Sequence, residues 1–328
     1  MYRSDFMDKL SPAVLQAFGL SSRGIKKEKG QYLCNSENGL VKVHITNQKP
    51  ESILMQHKIK EFLVDSFPET DRFILTKDEQ PYISIGREMY IATAYPSPQT
   101  ETNLENEDNI IGALLALAKL HLASRSMPPF GLPEAPLLTD NYSKKLIDLT
   151  HASKLARRGS RMSDFDVAFI KHVPRASQTI NKALDHLEKT NYLSLHSLAA
   201  SQHSLCHNAL KEENLPVVNG STYIINFAYA TIDIQLCDLA AFIRRYAQRS
   251  SRAIPITCML ETYAKINPLP NNAIDIIYPQ LIFPWAFAKL ATQYYSKKRN
   301  WTPNGLINSM ESVLDEWDAY DEYVDKMK

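Results

Sequence analysis

Hydrophobic periodicity changes once along this chain, across the Pro-Ser-Pro-Gln-Thr stretch at 96–100, and the change divides it into two unlike parts. Upstream, apolar residues recur mostly at every second position. Residues 31–34 and 40–45 are β-rich runs around an Asn-Ser-Glu-Asn-Gly segment, whose Asn-Gly end favours a hairpin. Residues 73–75, 82–85 and 89–94 alternate in the same way, with Gly86, Arg87 and Glu88 as the turn between the last two. Helical stripes occupy 13–20 and 53–64. Residues 1–95 therefore predict a small sheet with an inserted helix. The prolines at 96 and 98 stop the last strand and stiffen a hinge over 96–100.

From 101 to 328 the period is helical. Residues 106–124 place Ile110, Ile111, Leu114, Leu115, Ala118, His121 and Leu122 on one broad face, which predicts a core helix. Further helices are predicted over 142–158 and 165–189, the second broken or kinked at Pro174. Helices over 239–248, 256–266, 273–283, 285–297 and 303–328 complete the region. A single strand pair, 215–218 with 223–227, interrupts them at an Asn219-Gly220 turn. The fold class is α+β: a β-rich lobe, a hinge, and a large helical lobe with one embedded hairpin.

Composition closes off several functions. Lys and Arg number 37 against 36 Asp and Glu, so no global field recruits nucleic acid or an acidic membrane. The local clusters Lys26, Lys27, Lys29 and Arg157, Arg158, Arg161 read as solvated loops. The first twenty residues are amphipathic but carry Asp5 and Asp8, unlike a secretory signal, and no run approaches the ~18 apolar residues of a membrane span. Cys34, Cys206, Cys237 and Cys258 lack metal-ligand spacing and read as reduced, buried thiols of a cytoplasmic protein.

The segment 205–245, LCHNALKEENLPVVNGSTYIINFAYATIDIQLCDLAAFIRR, has the layout of a phosphotransferase catalytic loop followed by a metal-binding strand. In order, KKEKGQYLCNSENGL, ALLALAKLHLAS, NFAYATIDIQLCDLAAFIRR and YPQLIFPWAFAKLATQYYSKKRNWTP resemble segments of the CotS-like spore coat proteins. These share the bilobal protein-kinase-like fold of aminoglycoside and choline phosphotransferases. The resemblance spans about residues 20 to 310. It implies an N-lobe over 1–95, a hinge over 96–100 and a helical C-lobe over 101–328, with nucleotide between the lobes.

Active relatives carry His-x-Asp-x-x-x-x-Asn, in which the Asp handles the acceptor proton and the Asn helps hold magnesium. Here the resemblance sets His207 as the loop buttress, Ala209 at the base position and Asn214 at the metal position. The magnesium-binding Asp of the next strand is replaced by Asn226. Asn214 and Asn226 are left as a weak metal pair, since an amide brings no charge against a hard dication. The phosphate-binding lysine corresponds to Lys42 or to His44, two positions on one strand face. Its helix partner would be Glu61, with Glu51 the alternative. Gly24 and Gly30 alone make a poor phosphate cradle.

Other chemistry-bearing residues read as structural. His121 lies on an apolar helix face, Asp238 is placed to cap the following helix, and Glu212 and Glu213 fall in an exposed loop. Tyr278, Phe283, Trp285, Phe287, Tyr294, Tyr295 and Trp301 recur near helical spacing and are expected to fill the C-lobe. The expected protein is a catalytically impaired kinase-like component of the spore coat, acting through binding to other coat or sporulation proteins. It requires no cofactor and binds ATP with magnesium weakly if at all. It resides in the mother-cell cytoplasm or the coat, without nucleic acid or membrane. Two alternatives stay open: an active small-molecule phosphotransferase using Asp233 with Asn214 and Asn226, or a nucleotide- or metabolite-sensing module.

Overall fold

A computed structural model describes residues 10–28, 30–36, 39–94, 99–100, 103, 105–158, 162–247, 254–296 and 303–326. Lys29, Arg161, Trp301, most of the expected hinge (96–98) and two residues of the first hairpin turn (37–38) lie outside these. The chain opens with α1 (Pro12–Ala17), capped by the Ser11 hydroxyl, which accepts from the Ala13 N–H. There follow β1 (Lys26–Glu28), β2 (Gln31–Ser36), β3 (Gly39–Thr46), α2 (Pro50–Leu63), β4 (Tyr82–Ile85) and β5 (Glu88–Ala94). The strands form an antiparallel sheet in the order β1-β2-β3-β5-β4. Period-two alternation sends Val41, Val43 and Ala92 to one face, where Val14 and Leu15 of α1 and Phe18 just after it cover them. The opposite face of β3 carries Lys42 and His44, paired in register with Thr93 and Ile91 of β5. Lys26 and Lys27 are exposed on the edge strand.

The second lobe contains β6 (Gln99–Thr100), α3 (Glu107–Ala123), α4 (Leu138–Ala156), α5 (Asp164–Glu188) and α6 (Tyr192–Ser201). Beyond them come β7 (Leu205–Cys206), β8 (Val217–Val218), β9 (Ser221–Thr222) and β10 (Thr231–Ile232). The chain finishes with α7 (Leu236–Ala247), α8 (Ile256–Ala264), α9 (Ala273–Ile282), α10 (Trp285–Tyr295) and α11 (Pro303–Asp325). The core helix α3 starts where the Asn106 side chain accepts from the Asn109 N–H. It buries Ile110, Leu114, Leu117 and Leu120 against both lobes, because Met55, Ile59 and Leu63 of α2 join the same core. Gly112 lets β9 come close: a Cβ there would sit 2.8 Å from the Thr222 hydroxyl.

Several elements differ from the expectation. Residues 73–75 make a single bridge, Phe73 to Thr93, before the Thr76 N–H turns back to the Gln80 carbonyl. Residues 223–227 leave the sheet after Thr222, because the Ile224 N–H bonds Glu69 and the Ile225 N–H bonds Asn214 in two different loops. Helix α5 runs unbroken through Pro174, held by Phe169, Val173, Ala176 and Ile180 in the core on both sides of the missing N–H. Helix α6 was not foreseen. The aromatic residues do fill the C-lobe: Tyr142 stacks on Phe283 at 4.0 Å, and Phe169 lies 5.6 Å from Phe287 and 5.0 Å from Tyr295. Cys34, Cys206 and Cys237 are buried as expected, but Cys258 is exposed on α8.

Phe169 is fully buried and joins α5 to α10. Phe169→Ala should cost about 3–5 kcal/mol, seen as a lowered urea midpoint with little change in slope.

Candidate functional site

A cleft of about 530 Å³ opens between the sheet and the C-lobe. Lys42 and His44 descend into it from β3, Gln56 and Lys60 from α2, and Asn214 and Asn226 rise from the other side. Lys60 is 2% exposed, with its Nζ 2.8 Å from Asp71 Oδ1 and 4.3 Å from the Phe73 ring centre. The ion pair of this wall therefore has its cation on the helix and its acid in the loop after it. Glu61 is not the helix partner. One residue on from Lys60, the 100° step of the helix turns it outward, where it is more than half exposed and 3.9 Å from His57. Glu51 is exposed as well.

His44 stands near these two lysines. Burial, then the Lys42 charge, lower its pKa to about 4 against the pull of Asp71, so the imidazole is neutral near pH 7. Its Nδ1 is buried with no hydrogen-bond partner. Burial also lowers the pKa of Lys42, which Asp71 opposes and Lys60 reinforces. Lys42 and His44 thus do share the cleft face.

The floor is built on one buried carboxylate. Asp238, wholly buried in the first turn of α7, accepts from the N–H groups of His207 and Asn208, the latter at 2.8 Å, and from His121 Nε2 at 3.3 Å. It is a clamp on the loop, not a helix cap as the sequence suggested, because the loop and α3 supply its partners. Burial alone would raise this carboxyl; the His121 hydrogen bond and the His207 N–H outweigh it and hold its pKa below the ordinary range. His121 completes its own bonding with Tyr263 at 2.7 Å and is a satisfied core residue.

His207 has one consistent tautomer. Its Nε2 faces the Ile225 carbonyl at 3.0 Å and must donate, while its Nδ1 accepts from the Ala209 N–H at 3.3 Å. Burial keeps its pKa low despite nearby Asp238, so it is a neutral strut joining the loop to the strand end. Asn208 takes a positive φ of 60° and donates to Tyr229 and Thr231 backbone and side-chain oxygens. Ala209 follows, and its methyl group offers no lone pair for a proton.

Asn214 and Asn226 come together. Asn214 donates to the Ala209 carbonyl at 2.8 Å and accepts from Asn226 Nδ2 at 3.2 Å. Asn226 sits at φ 68°, a left-handed turn that asparagine tolerates. This pair does not suit magnesium: one amide oxygen is already engaged, and neither residue offsets the charge of the ion. Among the described residues no group of three or more His, Cys, Asp or Glu could hold a metal. Asp233 does not substitute, since it is buried away from the cleft, bonds the Ile234 N–H at 2.7 Å, and has its pKa raised by burial. Glu213 lies at the cleft edge, exposed and 3.7 Å from Lys211, while Glu212 is half-buried rather than exposed. The Lys60–Asp71 pair was missed; its signal was a lysine between Ile59 and Leu63 on the buried stripe of α2.

Residues 12–327 match a family model described as "Spore coat putative kinase YutH". Spore coat protein S of Bacillus subtilis (strain 168) is 19% identical over 166 residues, half of this chain and 47% of that protein. The match therefore spans about half the length of that relative. Among solved structures, an aminoglycoside phosphotransferase from Alicyclobacillus acidocaldarius superposes with a TM-score of 0.84 at 15% identity, covering 97% of this chain and 95% of the other. A spectinomycin phosphotransferase crystallised with ADP and spectinomycin gives 0.60 at 12% identity, covering 92% of each. These likenesses show the bilobal kinase-like α+β fold. No helix among the described residues is long and apolar enough to cross a membrane.

Asp238→Ala should destabilise the protein by about 3 kcal/mol, because it strands the buried His207 N–H and the buried His121 ring and frees the part-buried Asn208 N–H. Asp238 has a folded pKa below its unfolded value of about 3.9, so its contribution is complete above that value and is lost as pH falls through the folded pKa. Acid unfolding of the variant should lack that part of the pH dependence. Separately, NMR titration of the His44 ring should give a midpoint near 4, against about 6.5 for an exposed histidine.

Proposed function

Since the chain belongs to the YutH family of spore coat kinase-like proteins, we propose that it works as a coat component that binds rather than phosphorylates. The observation that carries this reading is the Asn214–Asn226 amide pair beside Ala209. Phosphoryl transfer depends on positioned charge around metal-bound phosphates and on a group that receives the acceptor proton. Here the proton acceptor is a methyl, and the two metal positions are neutral amides bonded to each other. Loss of the base alone typically costs ~10²–10⁴ in rate. Neutral His44 further lowers the charge available to a polyphosphate, and Asp71, paired with Lys60, offsets part of what the lysines bring.

The intact walls support a retained binding role. Asp238, His207 and His121 hold the loop rigidly although its chemistry is gone, which keeps a shaped cleft between the lobes. The occupant or partner would be another component of the coat or of sporulation, met in the mother cell or in the coat itself. Any nucleotide would be held weakly and without turnover.

Purified protein given Mg-ATP and a panel of aminoglycoside, choline and sugar acceptors should consume no ATP above background. Mg-ATP should also leave the melting temperature within about 1 °C, since a ligand present well below its Kd stabilises little. Ala209→Asp combined with Asn226→Asp should raise nucleotide-dependent stabilisation by restoring the dication site. Turnover by the wild-type chain at ordinary enzymatic rates would refute the proposal.

A further inference from the structure

Two helix faces of opposite charge lie uncovered on the C-lobe. The first belongs to α4 and the turn after it, where Lys144, Ile147, His151, Lys154 and Arg158 are all exposed. Steps of three and four residues keep them on one side, in a stripe about 21 Å long at 1.5 Å per residue. Ile147 is 68% exposed within it. From Lys144 onward this side carries no acid, since Asp148 is turned 100° from Ile147 and lies 3.5 Å from Lys145. Among the described residues no acid lies within 4.0 Å of Lys144, Lys154 or Arg158.

The second face belongs to α11, which contains no Lys, Arg or His. Glu311, Asp315, Asp318, Glu322 and Asp325 are exposed along one side of it. Glu311 repels Asp315, and Asp318 repels Glu322, across single turns of the helix. Glu322 and Asp325 fall in the last turn, the end where the helix dipole disfavours acids. Asp318 shares Arg175 with Asp321, but among the described residues no cation lies within 4.0 Å of Glu311, Asp315 or Glu322. This arrangement works against an isolated helix. A cationic face laid over it removes the repulsion.

The two stripes are in step. Reversed, the spacing of the α11 acids coincides with that of the α4 stripe, so Lys144 meets Asp325, Lys154 meets Asp315 and Arg158 meets Glu311. Ile147 then falls between Glu322 and Ala319, a small exposed residue that leaves room for it. We propose that α4 of one copy docks antiparallel on α11 of a second copy, joining the chain head to tail. Helices α5 and α10 each pack against both α4 and α11, so the two outward faces are turned away from each other. The contact is therefore heterologous, and repeated addition builds a ring or an open filament. This rests on the reading of the chain as a coat component that works by binding, and it names a second copy as the partner.

The test is sedimentation velocity of the full chain over about 1–200 µM in about 20 mM salt. Species larger than dimers should grow with concentration and dissolve by about 0.3 M salt. Lys154→Glu with Arg158→Glu, or Glu311→Lys with Asp315→Lys, should each weaken association by about tenfold or more, because like charges then face each other. All four residues are exposed, so both variants keep the fold. Mixing the two variants should restore association, as should all four substitutions in one chain. A monomer throughout, association indifferent to salt or to either pair of substitutions, no rescue on mixing, or association abolished by nuclease would each overturn the proposal. A monomer would leave the absence of ATP turnover standing, and turnover would leave self-association standing, so the two readings fail separately.

Discussion

The buried carboxylate of Asp238 is the constraint on which the loop, the core helix and the cleft floor depend. It lies in α7, yet its partners come from the loop at His207 and Asn208 and from α3 at His121. A buried charge survives only when fully hydrogen-bonded, and this one is. Through it the helical lobe sets the backbone of the catalytic-type loop without reference to what side chain occupies position 209. That separation of framework from chemistry lets a kinase-like loop keep its shape with alanine at position 209.

The upper wall follows the same division. Strand β3 still directs two side chains into the cleft, and α2 still joins both lobes through Ile59 and Leu63. Its electrostatics are particular: a neutral imidazole stands at His44, and the paired lysine belongs to the helix, with its acid on Asp71. Packing needs only volume and apolarity, so it tolerates such changes. Phosphate binding depends instead on charge at fixed points.

What could be read from the sequence was what is local. The two-lobe division follows from periodicity, and the placement of His207, Ala209, Asn214 and Asn226 in one loop and the turn after it follows from the resemblance of that short segment to a phosphotransferase loop. The side-chain bond between Asn214 and Asn226, the clamp role of Asp238 and the Lys60–Asp71 pair were not legible, because each depends on which loops the tertiary fold brings together. Asp238 shows the difficulty well: a local rule offered helix capping, and a long-range partner set prevailed. Residues 223–227 erred for a related reason, since their strand-like pattern reflects burial between two loops rather than pairing in a sheet.

The central claim is that the cleft no longer grips a dication against phosphate oxygens. Titrating Mn²⁺ into the protein with a non-hydrolysable ATP analogue, followed by electron paramagnetic resonance, tests it directly. The account predicts a spectrum equal to that of Mn²⁺ with the analogue alone. A saturable protein-bound Mn²⁺ signal at micromolar metal, abolished by Asn226→Ala, would contradict it.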